Sequence, residues 1–259
     1  MAGLLEFLRA MPPARFLLLA LVENAGLVAL GAIGGHWAIR LPGAHRLTPD
    51  PGPVSRQELA LVAVATLLNT AVTAAGWWLW RAGVIVLPVG FGPAVVVELV
   101  VLVLIMDAVM YAGHTLVHVR RVFPLVHRVH HVFSDARPIT LFALHPVEVI
   151  GFGGIWLAVL AVHPFSIWSL GGYAVLNLGF GILGHLGVEP LPVRVRRGVL
   201  FRWVATPTMH AGHHARPRYN LGFYTTVWDR LFGTLDPEYD LRRSAVLPPP
   251  YVTPSAPVG

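Results

Sequence analysis

Five long apolar runs constrain this chain more than any other feature of its sequence. Hydrophobic residues make up 55% of the chain and charged residues only 12%, a balance outside the range of soluble globular proteins. The runs are Ala14–Ile39, Leu59–Trp80, Ala94–Val117, Leu141–Val162 and Ile167–Leu186. Each is near the length of about 20 residues that a helix needs to cross a bilayer. The runs predict an all-α integral membrane helical bundle. The last two contain Gly, Pro, His and Glu, and are predicted to form a hairpin that dips into the bilayer or spans it.

Every basic side chain is arginine, and the arginines are unevenly distributed. Those that follow the third run are Arg120, Arg121, Arg128 and Arg137, and a larger group lies between residues 194 and 230. Under the positive-inside rule these segments face the cytoplasm. The net charge of +6 is therefore attributed to membrane topology, and no motif predicts a nucleic-acid partner. Arg9 and Arg15 oppose this arrangement mildly. The first run is interpreted as a retained anchor rather than a signal peptide, and its topology stays open.

Eight of the 13 histidines fall into three clusters. The clusters are His114-x-x-x-His118, His127-x-x-His130-His131 and His210-x-x-His213-His214. Residues three and four apart share one face of a helix, so each cluster can supply two or three imidazole nitrogens to a common centre. Eight nitrogens are too many for one metal ion and suit two. Because the chain has no cysteine, these donors favour iron, zinc or copper over magnesium or calcium. The zinc-protease signature H-E-x-x-H is absent.

Two isolated histidines extend the candidate ligand set. His145 precedes Pro146 and His185 ends the fifth apolar run. Ionisable groups in membrane segments are costly and usually functional, although a turn residue and a hydrogen-bonded core histidine are the alternatives for these two. A ligand histidine also needs a partner on its other ring nitrogen. The candidate partners are Asp107, Glu148 and Asp229. Glu23 and Glu98, inside apolar runs, are predicted to bond neighbouring helices.

The order of these motifs resembles one membrane enzyme superfamily. The order is H-x3-H, H-x2-H-H, H-P-x-E, a lone His, H-x2-H-H, and then Asn220-Leu221-Gly222 followed by Trp228-Asp229-Arg230-Leu231-Phe232-Gly233-Thr234. With Asp107-x-x-x-Tyr111-x-x-His114 added, the pattern covers Asp107 to Leu235, about half the chain. It is similar to the fatty acid hydroxylase/sterol desaturase superfamily.

The resemblance implies a membrane-bound non-haem di-iron oxygenase. Such an enzyme uses O2 and two external electrons to hydroxylate or desaturate an unactivated C–H of a lipid. The metal ligands it implies are His114, His118, His127, His130, His131, His210, His213 and His214, with His145 and His185 at positions where many members have additional ligands. Residues supporting the ligands would be Asp107, Tyr111, Glu148, Asn220 and Asp229. Two iron ions are the expected cofactor, with zinc as an alternative occupant after purification.

Three segments are predicted. Residues 1–93 form membrane anchor helices and loops, residues 94–240 the catalytic domain with a cytoplasmic histidine-lined di-metal cap, and residues 241–259 a proline-rich, disordered tail. Because no flavin, nicotinamide or haem motif is found, the electrons are expected from a separate ferredoxin or cytochrome b5-type donor. The competing hypotheses are a non-enzymatic membrane metal-handling protein and a zinc-loaded membrane hydrolase.

Overall fold

The computed structural model describes residues 1–245, and the predicted disorder of the tail from residue 246 onward lies outside this range. The described chain is mostly helical, so the all-α prediction is confirmed. The long helices are α2 (Pro13–Ala38), α3 (Arg56–Arg81), α4 (Ala94–Val117), α6 (Pro146–Val162) and α7 (Ile167–Gly184). The short ones are α1 (Ala2–Ala10), α5 (Arg128–Val132), α8 (Val193–Arg196), α9 (Pro207–Ala215), α10 (Val227–Phe232) and α11 (Tyr239–Arg243). Two 3-10 turns, Pro138–Phe142 and Leu200–Arg202, complete the helical elements.

Four of the described helices, α2, α3, α4 and α7, are long and apolar enough to cross a membrane. Helix α6 has 17 residues and is shorter than the apolar run that predicted it. The first two residues of that run, Leu141 and Phe142, instead end the 3-10 turn Pro138–Phe142. The helix begins at Pro146 because proline fits the first helical turn, where its missing N–H leaves no bond unmade.

The five long helices form an antiparallel bundle with the three histidine clusters at one end, here called the cap end. Helix α4 reaches the cap end at its C-terminus, where His114 lies. Helix α3 reaches it at its N-terminus, where the Thr140 hydroxyl donates to the Glu58 carboxylate at 3.0 Å. At the opposite end the indole N–H of Trp77 donates to the carbonyl of Leu8 at 2.9 Å. The N-terminus and the cap therefore lie at opposite ends of the bundle.

Helix α2 packs closely on the predicted catalytic domain through two glycines. A Cβ atom on Gly35 would lie 2.3 Å from Cβ of Pro138, and one on Gly31 would lie 2.8 Å from the Phe142 ring. Only glycine permits this approach. The predicted anchor and the predicted catalytic domain therefore share an interface, and α11 continues across the predicted boundary at residue 240.

The cap is tied to the bundle by a short two-stranded sheet. Strand β1 (His45–Arg46), in the loop after α2, pairs antiparallel with β2 (Val188–Glu189), which follows α7. Within the bundle, the buried core includes Leu102, Met106 and Tyr173. The sheet and this core hold the C-termini of α4 and α7 beside the short helices that carry the remaining histidines.

Candidate metal centre

The structure brings eight histidines into two groups of four. Site A consists of His114, His118, His127 and His213, and site B consists of His130, His185, His210 and His214. Within each group the ring nitrogens that face one another all lie within 4.8 Å. Seven of the eight residues are among the clusters predicted from the sequence, and the eighth is His185.

Two of the three sequence clusters are divided between the sites. Only His114 and His118, one turn apart at the end of α4, both join site A. On α5 and its N-cap, His127 faces site A while His130 faces site B; on α9, His213 faces site A while His210 faces site B. The expectation that each cluster gives two or three nitrogens to a common centre is therefore wrong for the second cluster, because α5 lies between the sites. The third cluster still gives two nitrogens, from His210 and His214, to site B.

His131 lies between the two groups. Its Nε2 is 3.2 Å from Nε2 of His213 in site A, and its ring centroid is 4.6 Å from that of His214 in site B. It belongs to neither group of four. Its position beside both sites is compatible with the predicted ligand role.

The two isolated histidines have different surroundings. His185 follows the last turn of α7 and donates from Nδ1 to the Gly181 carbonyl at 2.8 Å. Its Nε2 lies 3.2 Å from that of His210, so it is part of site B. In contrast, His145 caps α6, where its Nδ1 accepts from the Val147 N–H at 3.2 Å. The structure does not bring His145 together with the other nine candidates.

In three of the four site A rings, Nδ1, the nitrogen that faces away from the site, donates to an oxygen acceptor. His127 Nδ1 donates to the Glu148 carboxylate at 2.5 Å. His114 Nδ1 donates to the Leu221 carbonyl at 2.8 Å, and His213 Nδ1 donates to the Tyr219 carbonyl at 2.8 Å. Each bond places the ring proton on Nδ1, so Nε2 carries a free lone pair.

Asn220 shapes the loop that supplies two of these carbonyls. Its backbone has φ of 58°, a left-handed conformation that asparagine tolerates better than most residues. Its side-chain amide donates to the Met209 carbonyl at 3.1 Å and its side-chain oxygen accepts from the Asp236 N–H at 2.9 Å. Asn220 thereby fixes the loop on α9, with the carbonyls on either side of it directed at His213 and His114.

The other supporting candidates act on the same segment rather than on a histidine. Asp229 accepts from the N–H groups of Leu221 and Gly222, both at 2.8 Å. Asp107, on α4, accepts from the indole N–H of Trp228 at 3.1 Å and from the N–H of Tyr224 at 3.0 Å. Of the three acidic candidates, only Glu148 bonds a ring of site A or site B.

Tyr111 also joins α4 to the segment after the third cluster. Its hydroxyl lies 2.9 Å from that of Thr234, and its ring stacks on Phe232 with centroids 5.7 Å apart. Asp107, Tyr111, His114 and His118 are spaced three or four residues apart along one face of α4, and they have two different roles. Asp107 and Tyr111 hold the segment containing residues 224–234, and His114 and His118 reach the site.

The donor set fits a pair of metal ions. The Nε2 atoms of His114 and His127 lie 3.1 Å apart, and those of His210 and His214 lie 3.0 Å apart. Ligands about 2.0–2.1 Å from one ion, at angles of about 90–110°, lie roughly 2.9–3.4 Å from one another. Burial lowers the pKa of His118 to about 3 and that of His185 to about 4, so these rings are neutral. In site A, His114, His127 and His213 hold their ring protons on Nδ1, so their facing Nε2 lone pairs repel unless a cation lies between them.

Sequence reasoning did not identify the backbone acceptors. The carbonyls of Tyr219, Leu221 and Gly181 each bond a candidate ligand, but a carbonyl has no residue-specific signature. Asn220-Leu221-Gly222 was the available signal, since an asparagine and a glycine so close together favour an unusual backbone conformation.

Comparison with known proteins is consistent with this geometry. A family model described as fatty acid hydroxylase matches residues 99–234. The chain is 28% identical to cholesterol 25-hydroxylase of Mus musculus over 213 residues, covering 80% of this chain and 64% of the relative. It is 29% identical to lathosterol oxidase of Mus musculus over 133 residues, covering 49% and 41%. It is 30% identical to methylsterol monooxygenase 1 of Gallus gallus over 131 residues, covering 49% and 42%.

These alignments cover between 41% and 64% of the three relatives, so the chain spans less than two-thirds of their length. No solved structure matches the chain. The family model nevertheless covers more than half of the chain and includes every histidine of sites A and B. The chain belongs to the fatty acid hydroxylase family.

Proposed function

We propose that this protein is a membrane-bound di-iron oxygenase that hydroxylates or desaturates an unactivated C–H of a lipid, using O2 and external electrons. The observation that carries the proposal is the pair of adjacent four-histidine groups at one end of an apolar helical bundle. The similar proteins named above are sterol-modifying enzymes, which favours a sterol or a related hydrophobic substrate.

Iron is the proposed metal because of the chemistry of the donors. Sites A and B consist of imidazoles, and the chain contains no cysteine thiol that an oxidising centre would damage. A reduced iron pair would supply the electrons that activate dioxygen. The proposed ligands are the eight histidines of the two sites, with His131 beside both.

The contribution of the protein is the orientation of the ligands. Glu148 and the carbonyls of Tyr219 and Leu221 hold the Nδ1 protons of three site A rings, which directs their Nε2 lone pairs inward. His213 has no solvent exposure and His114 has 4%, so water is largely excluded from this part of the site. A buried, preoriented ligand set loses little energy to rearrangement during a reaction.

We also propose that the cap lies on the cytoplasmic side. Of the 19 arginines, only Arg9, Arg15 and Arg81 lie at the opposite end of the bundle. The positive-inside rule places the arginine-rich end in the cytoplasm. There a soluble or membrane-bound donor of the ferredoxin or cytochrome b5 type would supply electrons.

Metal analysis combined with a product assay tests the function. The full chain, purified in nanodiscs, is expected to contain about two iron ions and to convert a sterol or fatty acyl substrate only when dioxygen and a reductant are present. His213→Ala is expected to lose metal and product, whereas His163→Ala, at an exposed position outside both sites, retains them.

The competing hypotheses give different results. A zinc-loaded hydrolase would form product without dioxygen. A metal-handling protein would bind or move metal ions and form no lipid product under any of these conditions. Either result would contradict the proposed oxygenase.

A further inference from the structure

Glu23 is a carboxyl group on the outer surface of a membrane-spanning helix. It lies ten residues after the start of the 26-residue helix α2, and therefore about 15 Å along the helix axis, near the middle of the span. Its side chain is exposed and forms no hydrogen bond or ion pair with any residue in 1–245. The adjacent Asn24 faces inward and donates to the Thr73 hydroxyl at 3.3 Å.

A polar group in the bilayer interior needs a partner. No water is available there, and an unpaired hydrogen-bonding group carries its full desolvation cost. A carboxyl group in such a medium favours its neutral form, which has one O–H donor and one C=O acceptor. Two such groups facing each other at the same depth satisfy both.

The residues around Glu23 form a seam suited to a second helix. Exposed or half-buried positions recur at alternating steps of four and three residues, the spacing of a left-handed helix pair. These positions are Leu19, Glu23, Gly26, Leu30, Ile33 and Trp37. Within residues 1–245, no atom from another part of the fold lies within 4 Å of a Cβ placed on Gly26, and a small residue at this position lets a neighbouring backbone approach closely.

We propose that two copies of this protein associate in the bilayer through this face of α2, with the two Glu23 carboxyl groups hydrogen-bonded to each other. Both copies enter the membrane in the same orientation, so a two-fold axis along the membrane normal places Glu23 opposite Glu23. A different partner would need its own complementary group at the same depth. The second copy provides one by symmetry.

Disulfide crosslinking tests the geometry, because the chain has no native cysteine. Leu30 in the seam and Leu18 outside it are equally exposed, at 62% and 63%. Leu30→Cys in nanodiscs or native membranes is expected to form a covalent dimer on mild oxidation, since a disulfide requires Cα atoms less than about 7 Å apart. Leu18→Cys is expected to associate as the parent chain does but to form no covalent dimer. Equal crosslinking of both, or of neither, would overturn the proposal.

Substitution of Glu23 tests the hydrogen bond. Glu23→Ala is expected to weaken dimer association by roughly 10-fold, measured as the dimer fraction against protein-to-lipid ratio. Glu23→Gln retains a donor and an acceptor and is expected to stay close to the parent chain. Iron content measured in parallel shows that each variant is folded. A dimer fraction unchanged in Glu23→Ala, a monomeric parent chain, or association only with a different protein would each overturn the proposal.

Discussion

The Nδ1 atom of His127 lies 2.5 Å from the Glu148 carboxylate, and the two residues are 21 positions apart in the chain. Their side chains are 3% and 0% exposed. Glu148 lies in the first turn of α6 and His127 precedes α5, so this bond links a bundle helix to a cap helix. It also orients the ring of His127 toward site A.

Removing the Glu148 carboxylate should weaken metal binding at site A. Partners of ligand histidines contribute about 10- to 100-fold to metal affinity. Glu148→Ala is therefore expected to lower cobalt affinity at site A by that factor, measured by optical titration of the metal-free protein. Glu148→Gln, which retains an acceptor, should lose less. Glu6→Ala, an exposed carboxylate outside both sites, is the control. Equal weakening of both sites would contradict a local role.

The division of the histidine clusters predicts an unusual double-mutant pattern. His213 and His214 are adjacent in sequence but belong to different sites. His213→Ala with His214→Ala should therefore impair both metals, whereas His213→Ala with His118→Ala should impair site A and leave about one metal ion per chain. Metal content and titration curves of the two double variants measure this. If the first pair retained one ion and the second pair none, the assignment to sites would be wrong.

Helix α4 and the shared face of its two candidate ligands were predictable from the sequence because helical periodicity is a local property. The bounds Ala94–Val117 agree with the structure, and the four-residue spacing of His114 and His118 directs both to one side. The assignment of His127 and His130 to different sites was not accessible in this way. It depends on how α5 lies between α4 and α9, which is set by tertiary packing rather than by spacing.

At His145 the sequence motif and the structure indicate different roles for the same side chain. In the sequence, His145-Pro146-Val147-Glu148 suggests both a ligand and its partner. In the structure the glutamate reaches His127, and His145 caps the helix whose first turn contains this glutamate. A histidine before a helix-starting proline can serve either purpose, and only the direction of the ring distinguishes them.

The contact between α3 and α6 predicts opposite effects at two adjacent glycines. A Cβ on Gly153 would lie 2.7 Å from Cγ2 of Val72, whereas one on Gly154 meets nothing within 4 Å. Valine is stiff in a helix, so Gly153→Ala should destabilise the bundle by about 1–3 kcal/mol. Gly154→Ala should be neutral or stabilise it by up to about 1 kcal/mol. Thermal unfolding in a defined detergent measures both, and equal midpoints would contradict this packing.

The left-handed backbone of Asn220 predicts a graded series. Asn220→Ala loses the bonds to Met209 and Asp236 and also strains the backbone, for a combined cost of about 3 kcal/mol. Asn220→Gly loses the same bonds without the strain, so its cost should be about 1 kcal/mol smaller.

Because this loop directs the carbonyls at His114 and His213, both variants should release metal from site A before site B. Asn24→Ala removes a hydrogen bond far from the cap and should lower the unfolding temperature without affecting site A. Unfolding midpoints and metal titrations together test the series; greater damage from glycine than from alanine would show that backbone strain is not what Asn220 relieves.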